Sequence, residues 1–307
     1  MYLKNLVFIL IGLLAALFSC TLKSNPPKDV YVVLIMGQSN AVGRAEVVRL
    51  SNKKNNPAGY VPNPKRVMIY DKGNMADLDL SKDNGVWKEY HAGINSNTDG
   101  SPLNHFGPEL SLSQSITKAK KGTVYIIKAA FGGTALSPNI PTYYPGNWTE
   151  QIIPIAMDYY FKRAMRDLYV REPNSNVHFL GVIWYQGESD AAYGISKTQY
   201  TDNFNNLKIK VDDYLSKEFH CSYKWLLVGL NYNQGEKEEM IDSALCSFVN
   251  KDTYFVSMKP YPRKMDLTDS QKWPIQIGNQ DDNHSSYIAQ IALGKKAFEI
   301  FTEKSSS

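Results

Sequence analysis

The chain has 307 residues, of which 43% are apolar and 21% charged, with a formal net charge of +4. This is ample for a buried core, in one large domain or two small ones. Its lysines are scattered along the whole length, so the basic balance reads as a solvated surface and excludes a nucleic-acid footprint.

The amino terminus carries Lys4 and an apolar run from Leu6 to Phe18. That run is too short to span a bilayer and has the length of a signal-peptide core. Leu17-Phe18-Ser19-Cys20 resembles the bacterial lipobox, whose cysteine becomes the lipidated first residue of the mature protein; ordinary cleavage with Cys20 incidental is the alternative. The expected organisation is a lipoprotein signal over 1–19, a tether over 20–28 marked by Asn25-Pro26-Pro27, and one domain over 29–304. Such a protein is exported and held in the periplasm or on the cell surface through its lipid alone. An exported compartment permits a disulfide between Cys221 and Cys246, while the lack of a Cys-x-x-Cys or a His/Cys cluster argues against structural zinc.

The first predicted element is the run Val30-Tyr31-Val32-Val33-Leu34-Ile35-Met36. Unbroken and rich in β-branched residues, it reads as a strand buried on both faces in the middle of a parallel sheet. Further apolar runs follow at Arg66–Tyr70, Thr123–Ala130, Val177–Tyr185, Lys224–Leu230 and Thr253–Ser257. Helical stretches lie at Pro108–Lys120, Ile152–Val170, Thr198–Phe219 and Ser286–Phe301. Strands alternating with helices predict a three-layer α/β/α, flavodoxin-like domain with a parallel sheet of about five strands. Glu46–Pro64 and Asp71–Asn104, rich in Asn, Gly, Lys and Pro, read as surface loops. The stretch from Ser137 to Trp148, full of prolines and aromatics, is either a substrate rim or a well-packed cover.

Ligands of open α/β sheets gather at the carboxyl ends of the strands. Gly37-Gln38-Ser39-Asn40 stands at such an end, where Gly37 permits a sharp exit and Ser39 presents its hydroxyl and backbone N–H at a helix start. Ser39 is then either a nucleophile or an ordinary N-cap. A nucleophile needs a base, and of the five histidines only His284 has a carboxylate at a useful spacing, Asp281, three residues earlier. The plain alternative there is an acidic helix start with a surface histidine. Two more strand ends complete the set. Gln186, in Trp184-Tyr185-Gln186-Gly187-Glu188-Ser189-Asp190, offers amide donors where an oxyanion forms, and Gly132-Gly133-Thr134 offers backbone that a substrate can approach closely. Nucleophile, base, orienting acid and oxyanion donors together point to acyl transfer.

These blocks, with Phe106-Gly107-Pro108-Glu109, resemble those of the SGNH-type hydrolases, and within them the sialate O-acetylesterase and acetylxylan esterase branch, carbohydrate esterase family six. The likeness runs from about Tyr31 to Phe301. It implies Ser39 as nucleophile, His284 as base, Asp281 as orienting acid, and the N–H groups of Ser39 and Gly132 as oxyanion donors. The neighbouring Asp282 leaves the acid open between the two. Most SGNH enzymes carry an oxyanion asparagine in the third block; Gln186 stands there instead, which makes it the expected third donor. Asn40, Gly133 and Glu188 are expected in support. The resemblance implies an acetylated glycan as substrate and hydrolysis without metal or cofactor. The 20 tyrosines and 5 tryptophans suit sugar stacking. A catalytically idle glycan-binding lipoprotein and a thioesterase or lipase of the same fold are the alternatives.

Overall fold

The computed structural model describes residues 26–51, 56–71, 85–96, 104–142, 145–231, 235–261, 263 and 284–303. Its organising strand is β1 (Asp29–Gly37), in which every side chain from Val32 to Met36 is withdrawn from solvent. Both flanks of β1 are occupied by parallel neighbours, β6 (Thr123–Ala130) and β7 (Asn176–Tyr185). With no face and no edge in water, the strand can be apolar throughout, as its sequence is.

The full sheet has the order β4-β3-β6-β1-β7-β8-β9, where β3 is Val67–Asp71, β4 Val86–Glu89, β8 Lys224–Val228 and β9 Thr253–Val256. All pairings are parallel except β3 with β4. The sheet therefore holds seven strands, more than the five or so expected. The antiparallel edge strand β4 lies inside a stretch read as a loop, because Trp87 alone of its four residues is buried and no period-two pattern marks it. A two-stranded antiparallel ribbon, β2 (Ala45–Glu46) with β5 (His105–Phe106), stands apart from the main sheet.

Helices cover the sheet. A helix α1 of four residues (Ser39–Val42) leaves β1 directly, and α2 (Glu109–Ala119) precedes β6. The chain then forms α3 (Lys162–Arg171), α4 (Glu188–Tyr193), α5 (Lys197–Glu218), α6 (Glu236–Cys246) and α7 (Tyr287–Thr302). α2 packs on α7, and Gly294 makes the approach possible: a Cβ there would lie 2.1 Å from Ser111 Oγ and 2.3 Å from the Pro108 carbonyl. α5 starts at a capping box in which Ser196 and Gln199 satisfy each other's backbone N–H, and Ser286 caps α7. α6 has no counterpart in the predicted elements; its acidic first turn masks a buried face of Ile241, Ala244 and Leu245.

The stretch expected as one helix over 152–170 is wound in two ways. Trp148–Ile152 and Ile155–Phe161 are π-helical, and only from Lys162 does the α-helix begin. Its buried apolar residues recur five apart, Ile152 with Met157, Ile155 with Tyr160, Ala156 with Phe161, and the wider winding brings each pair onto one face. In the loop before it, Trp148 is fully buried and edge-on to Trp184, with ring centroids 4.9 Å apart, and Ile140 is buried too. Trp148 and Ile140 thus pack as a cover, while Asn139 and Pro141 of the same loop are exposed. Cys221 and Cys246 are free and exposed, so the permitted disulfide is not formed.

The chain leaves β1 toward β3 on one side and leaves β7 toward β8 on the other. The crevice between the carboxyl ends of β1 and β7 is therefore the topological switch point, the position where open α/β sheets bind ligands.

Candidate active site

Ser39 sits at that crevice. Gly37 takes φ +139°, and a Cβ there would lie 2.0 Å from the Tyr185 carbonyl, so only glycine lets β1 end this close to β7. The Gln38 N–H donates to that carbonyl at 3.0 Å, and α1 begins at once. Gln38 is the residue at the N-cap position, while Ser39 is the first helical residue and does not cap through its side chain. The plain N-cap reading of Ser39 is thereby removed. Its N–H, one of the first in a helix, has no backbone acceptor among the described residues.

Gly132 lies beside it. The Phe131 N–H donates to the Gly37 carbonyl at 2.9 Å, which draws the end of β6 over the start of α1. A Cβ built on Gly132 would meet one atom within 4 Å, the Cβ of Ser39, at 3.9 Å. The glycine keeps open the space above the serine.

The third strand end is held by buried amides and carboxylates. Gln186 donates from Nε2 to Asp190 Oδ2 at 2.6 Å, and reaches Gln38 Oε1 at 3.1 Å and the Thr134 carbonyl at 3.3 Å. Its Oε1 accepts from the Tyr200 hydroxyl at 3.1 Å. An amide nitrogen has two hydrogens, and the protein supplies acceptors for both. Asp190, a buried carboxylate, thus competes for the donor that the oxyanion role expected of Gln186 would use, and in this arrangement the side chain organises the turn after β7. Asp190 also accepts the Leu136 and Ser137 N–H groups at 2.8 and 3.0 Å, which ties that turn to the loop after β6. Gln38 Oε1 accepts from the Gly187 N–H at 3.2 Å.

Asn40 joins the remaining pieces. Its Nδ2 donates to Glu188 Oε1, its Oδ1 accepts the Ser285 N–H at 2.8 Å, and its carbonyl accepts Gln290 Nε2 at 3.0 Å. The neighbour of Ser39 is thus bonded to the neighbour of His284. The Tyr185 hydroxyl meets Ser285 Oγ at 2.6 Å. Burial pushes the Glu188 carboxyl up to about 7, against the lowering effect of the Asn40 donor. Asp281 and Asp282 lie outside the described residues. Among the other histidines, His178 pairs with Asp29 at 2.9 Å, both near the amino ends of their strands and far along the sheet from Ser39.

Beneath α1 lies a buried ion pair. Lys128 Nζ contacts Glu109 Oε1 at 2.8 Å, and both side chains are wholly withdrawn from solvent. The other two ammonium hydrogens go to the Val42 carbonyl and Ser96 Oγ, each at 2.9 Å, and Glu109 Oε1 also accepts the Gly107 N–H at 2.9 Å. The carboxyl end of the serine-bearing helix therefore rests on a lysine. The sequence reading gave Lys128, Asp190, Gln38 and Ser285 no role, though a lysine within an otherwise apolar strand run is a visible signal. Among the described residues no group of His, Cys, Asp and Glu is arranged to hold a metal ion, and no helix is long and apolar enough to cross a membrane.

No curated protein sequence matches the chain significantly. Among solved structures, the fold is similar to a protein from Arabidopsis thaliana, with TM-score 0.58 and 18% identity over 91% of this chain and 100% of that one. It is also similar to NanS, with TM-score 0.57 and 16% identity over 90% and 98% of the respective chains. At these identities the likeness concerns the fold. Residues 27–303 match the family described as carbohydrate esterase, sialic acid-specific acetylesterase. That match across nearly its whole length places this chain in the carbohydrate esterase, sialic acid-specific acetylesterase family.

Proposed function

We propose that this protein is a serine O-acetylesterase that removes acetyl groups from carbohydrates, acetylated sialic acid foremost, through an acetyl-Ser39 intermediate. The observation that carries the reading is the bond from the Ser285 N–H to Asn40 Oδ1 at 2.8 Å, because it brings the residues on either side of it, His284 and Ser39, to one crevice. His284 takes the proton of the Ser39 hydroxyl as Oγ attacks the acetyl carbonyl carbon. The negative charge moves to the carbonyl oxygen, where the N–H groups of Ser39 and Gly132 receive it. Collapse breaks the bond to the sugar oxygen, and His284 returns the proton to that leaving alcohol. Water, deprotonated by His284, then attacks the acetyl-serine and releases acetate. Asp281 is the carboxylate assigned to hold the imidazole in the tautomer this sequence requires. No step asks for a metal or a cofactor.

A small acyl group fits the open space that Gly132 leaves above Ser39. In the same reading the amino-terminal run is an export signal and Cys20 carries the lipid that anchors the protein to a membrane; Cys20→Ala should move it from the membrane fraction to the soluble one. The deciding experiment is acetate release from acetylated sialic acid and other acetylated glycans by the wild type and by Ser39→Ala. The wild type should turn over, and the variant should lose about 10⁶ in kcat, the scale of removing a nucleophile of this kind. Turnover retained in Ser39→Ala would end the proposal, and a wild type inert toward every acetyl ester would favour a glycan-binding protein.

A further inference from the structure

An asparagine side chain has one acceptor end and one donor end of nearly equal size, and its neighbours decide which way it points. Asn40 stands between a group that can only donate, the Ser285 N–H, and a carboxyl oxygen of Glu188. Reversed, it would set NH₂ against N–H on one side and, with Glu188 ionised, carbonyl oxygen against carboxylate on the other. The observed orientation is satisfied, and the reversed one is opposed at Ser285 in either state of Glu188. Asn40, Glu188 and Ser285 are all buried, so water cannot repair the reversed state.

Ser285 is the first residue of the closing segment after His284, and it is fixed at two points. Asn40 holds its backbone and the Tyr185 hydroxyl holds its side chain at 2.6 Å. Behind it, Gln290 on α7 reaches back to the Asn40 carbonyl at 3.0 Å. A histidine one residue before such an anchor has little backbone freedom, and an imidazole displaced by about 1 Å from its serine costs a reaction roughly a hundredfold.

We propose that Asn40 is a positioning residue that docks the His284 segment onto the serine-bearing helix through the Ser285 N–H, with Glu188 acting as the group that keeps the Asn40 amide pointed correctly. The part concerning turnover rests on the esterase reading above; the docking itself does not.

The test moves the polarity of the bond without removing it. Asn40→Ala and Asn40→Asp should each lower kcat about tenfold or more with KM within about twofold, and should raise the hydrogen-exchange rate at the Ser285 amide in Asn40→Ala by about tenfold or more. In Asn40→Asp a carboxylate faces Glu188, whereas in Asn40→Asp with Glu188→Gln the new amide donates to Asp and Asp still accepts from Ser285. The double variant should regain most of the kcat lost by Asn40→Asp. A general packing role predicts no such recovery. Wild-type kcat and Ser285 protection in Asn40→Ala would overturn the proposal, as would a folded double variant no better than Asn40→Asp. Should the Asn40 variants fail to fold, Tyr185→Phe removes the second anchor with little change in packing: a fall in kcat of several-fold supports the docking, and an unchanged kcat together with unchanged Ser285 protection contradicts it. If the wild type hydrolyses no ester, the esterase reading fails by itself, and amide exchange at Ser285 still decides the docking.

Discussion

The serine-bearing helix is held at its two ends by polar clusters built on different chemistry. At its carboxyl end Lys128 and Glu109 form an ion pair wholly out of water, every ammonium hydrogen assigned. At its amino end Glu188 and Asp190 are equally buried, yet amides and backbone N–H groups meet them where a cation would be. The difference lies in what burial does to each. A cation beside Glu109 compensates its charge, while burial lowers the affinity of Lys128 for its proton against the pull of that same partner. Without a cation, burial prevails at Glu188 and raises its carboxyl to about 7. The first cluster is a fixed foundation; in the second Glu188 titrates near neutrality, beside the residues proposed for catalysis.

The largest effect belongs to the foundation. Lys128→Met leaves Glu109 charged and buried with no cation, and removing one partner of such a pair costs about 3–5 kcal/mol. Urea unfolding measures it, and a loss below about 1 kcal/mol would show that the two clusters do not differ as argued.

The next effect has the opposite sign at high pH. Because the folded chain holds the Glu188 proton more tightly than an unfolded one, whose group titrates near its ordinary 4.5, this residue's stabilising contribution is complete below that value and is lost as pH rises through about 7. Asp242, raised by burial to about 6, adds to the same trend. Glu188→Gln still offers an acceptor to Asn40, so it should match the wild type near about pH 4 and exceed its stability by up to about 3 kcal/mol near about pH 8. Thermal unfolding across that range checks the sign; a variant less stable at high pH would contradict it.

The smallest effect on stability concerns the side that neither cluster occupies. Gly132→Ala puts its methyl group at ordinary contact distance from Ser39 and touches nothing else nearby, so Tm should shift by no more than about 2 °C. Under the proposed esterase mechanism the same methyl group would stand over the reacting carbon, and kcat/KM for an acetyl ester should fall about tenfold or more. Unaltered kinetics would mean that substrate does not approach Ser39 from above Gly132.

How much of this was legible in the sequence follows from how local each cause is. β1 was readable because burial on both faces leaves an unbroken apolar run, and α7 because Ser286 and its apolar period announce it. β4 was not, since a single buried tryptophan carries no period, and the π-helical stretch was not, since its repeat of five is foreign to the patterns by which helices are recognised. Ser39 and Gly132 could be chosen from strand ends alone. Gln186 could also be chosen, but its bond to Asp190, four residues on, is a partner that no spacing rule weighs. The Asn40 bridge spans 245 positions to Ser285 and is visible only in three dimensions.

The most direct measurement is chemical. During steady turnover of an activated acetyl ester the reaction is quenched in acid, the protein digested, and the peptides examined by mass spectrometry for an added acetyl group. Acetyl on Ser39, absent from the Ser39→Ala protein, is the predicted result. Acetate released with no acetylated peptide, or acetyl found on another residue while Ser39→Ala remains active, would contradict the account.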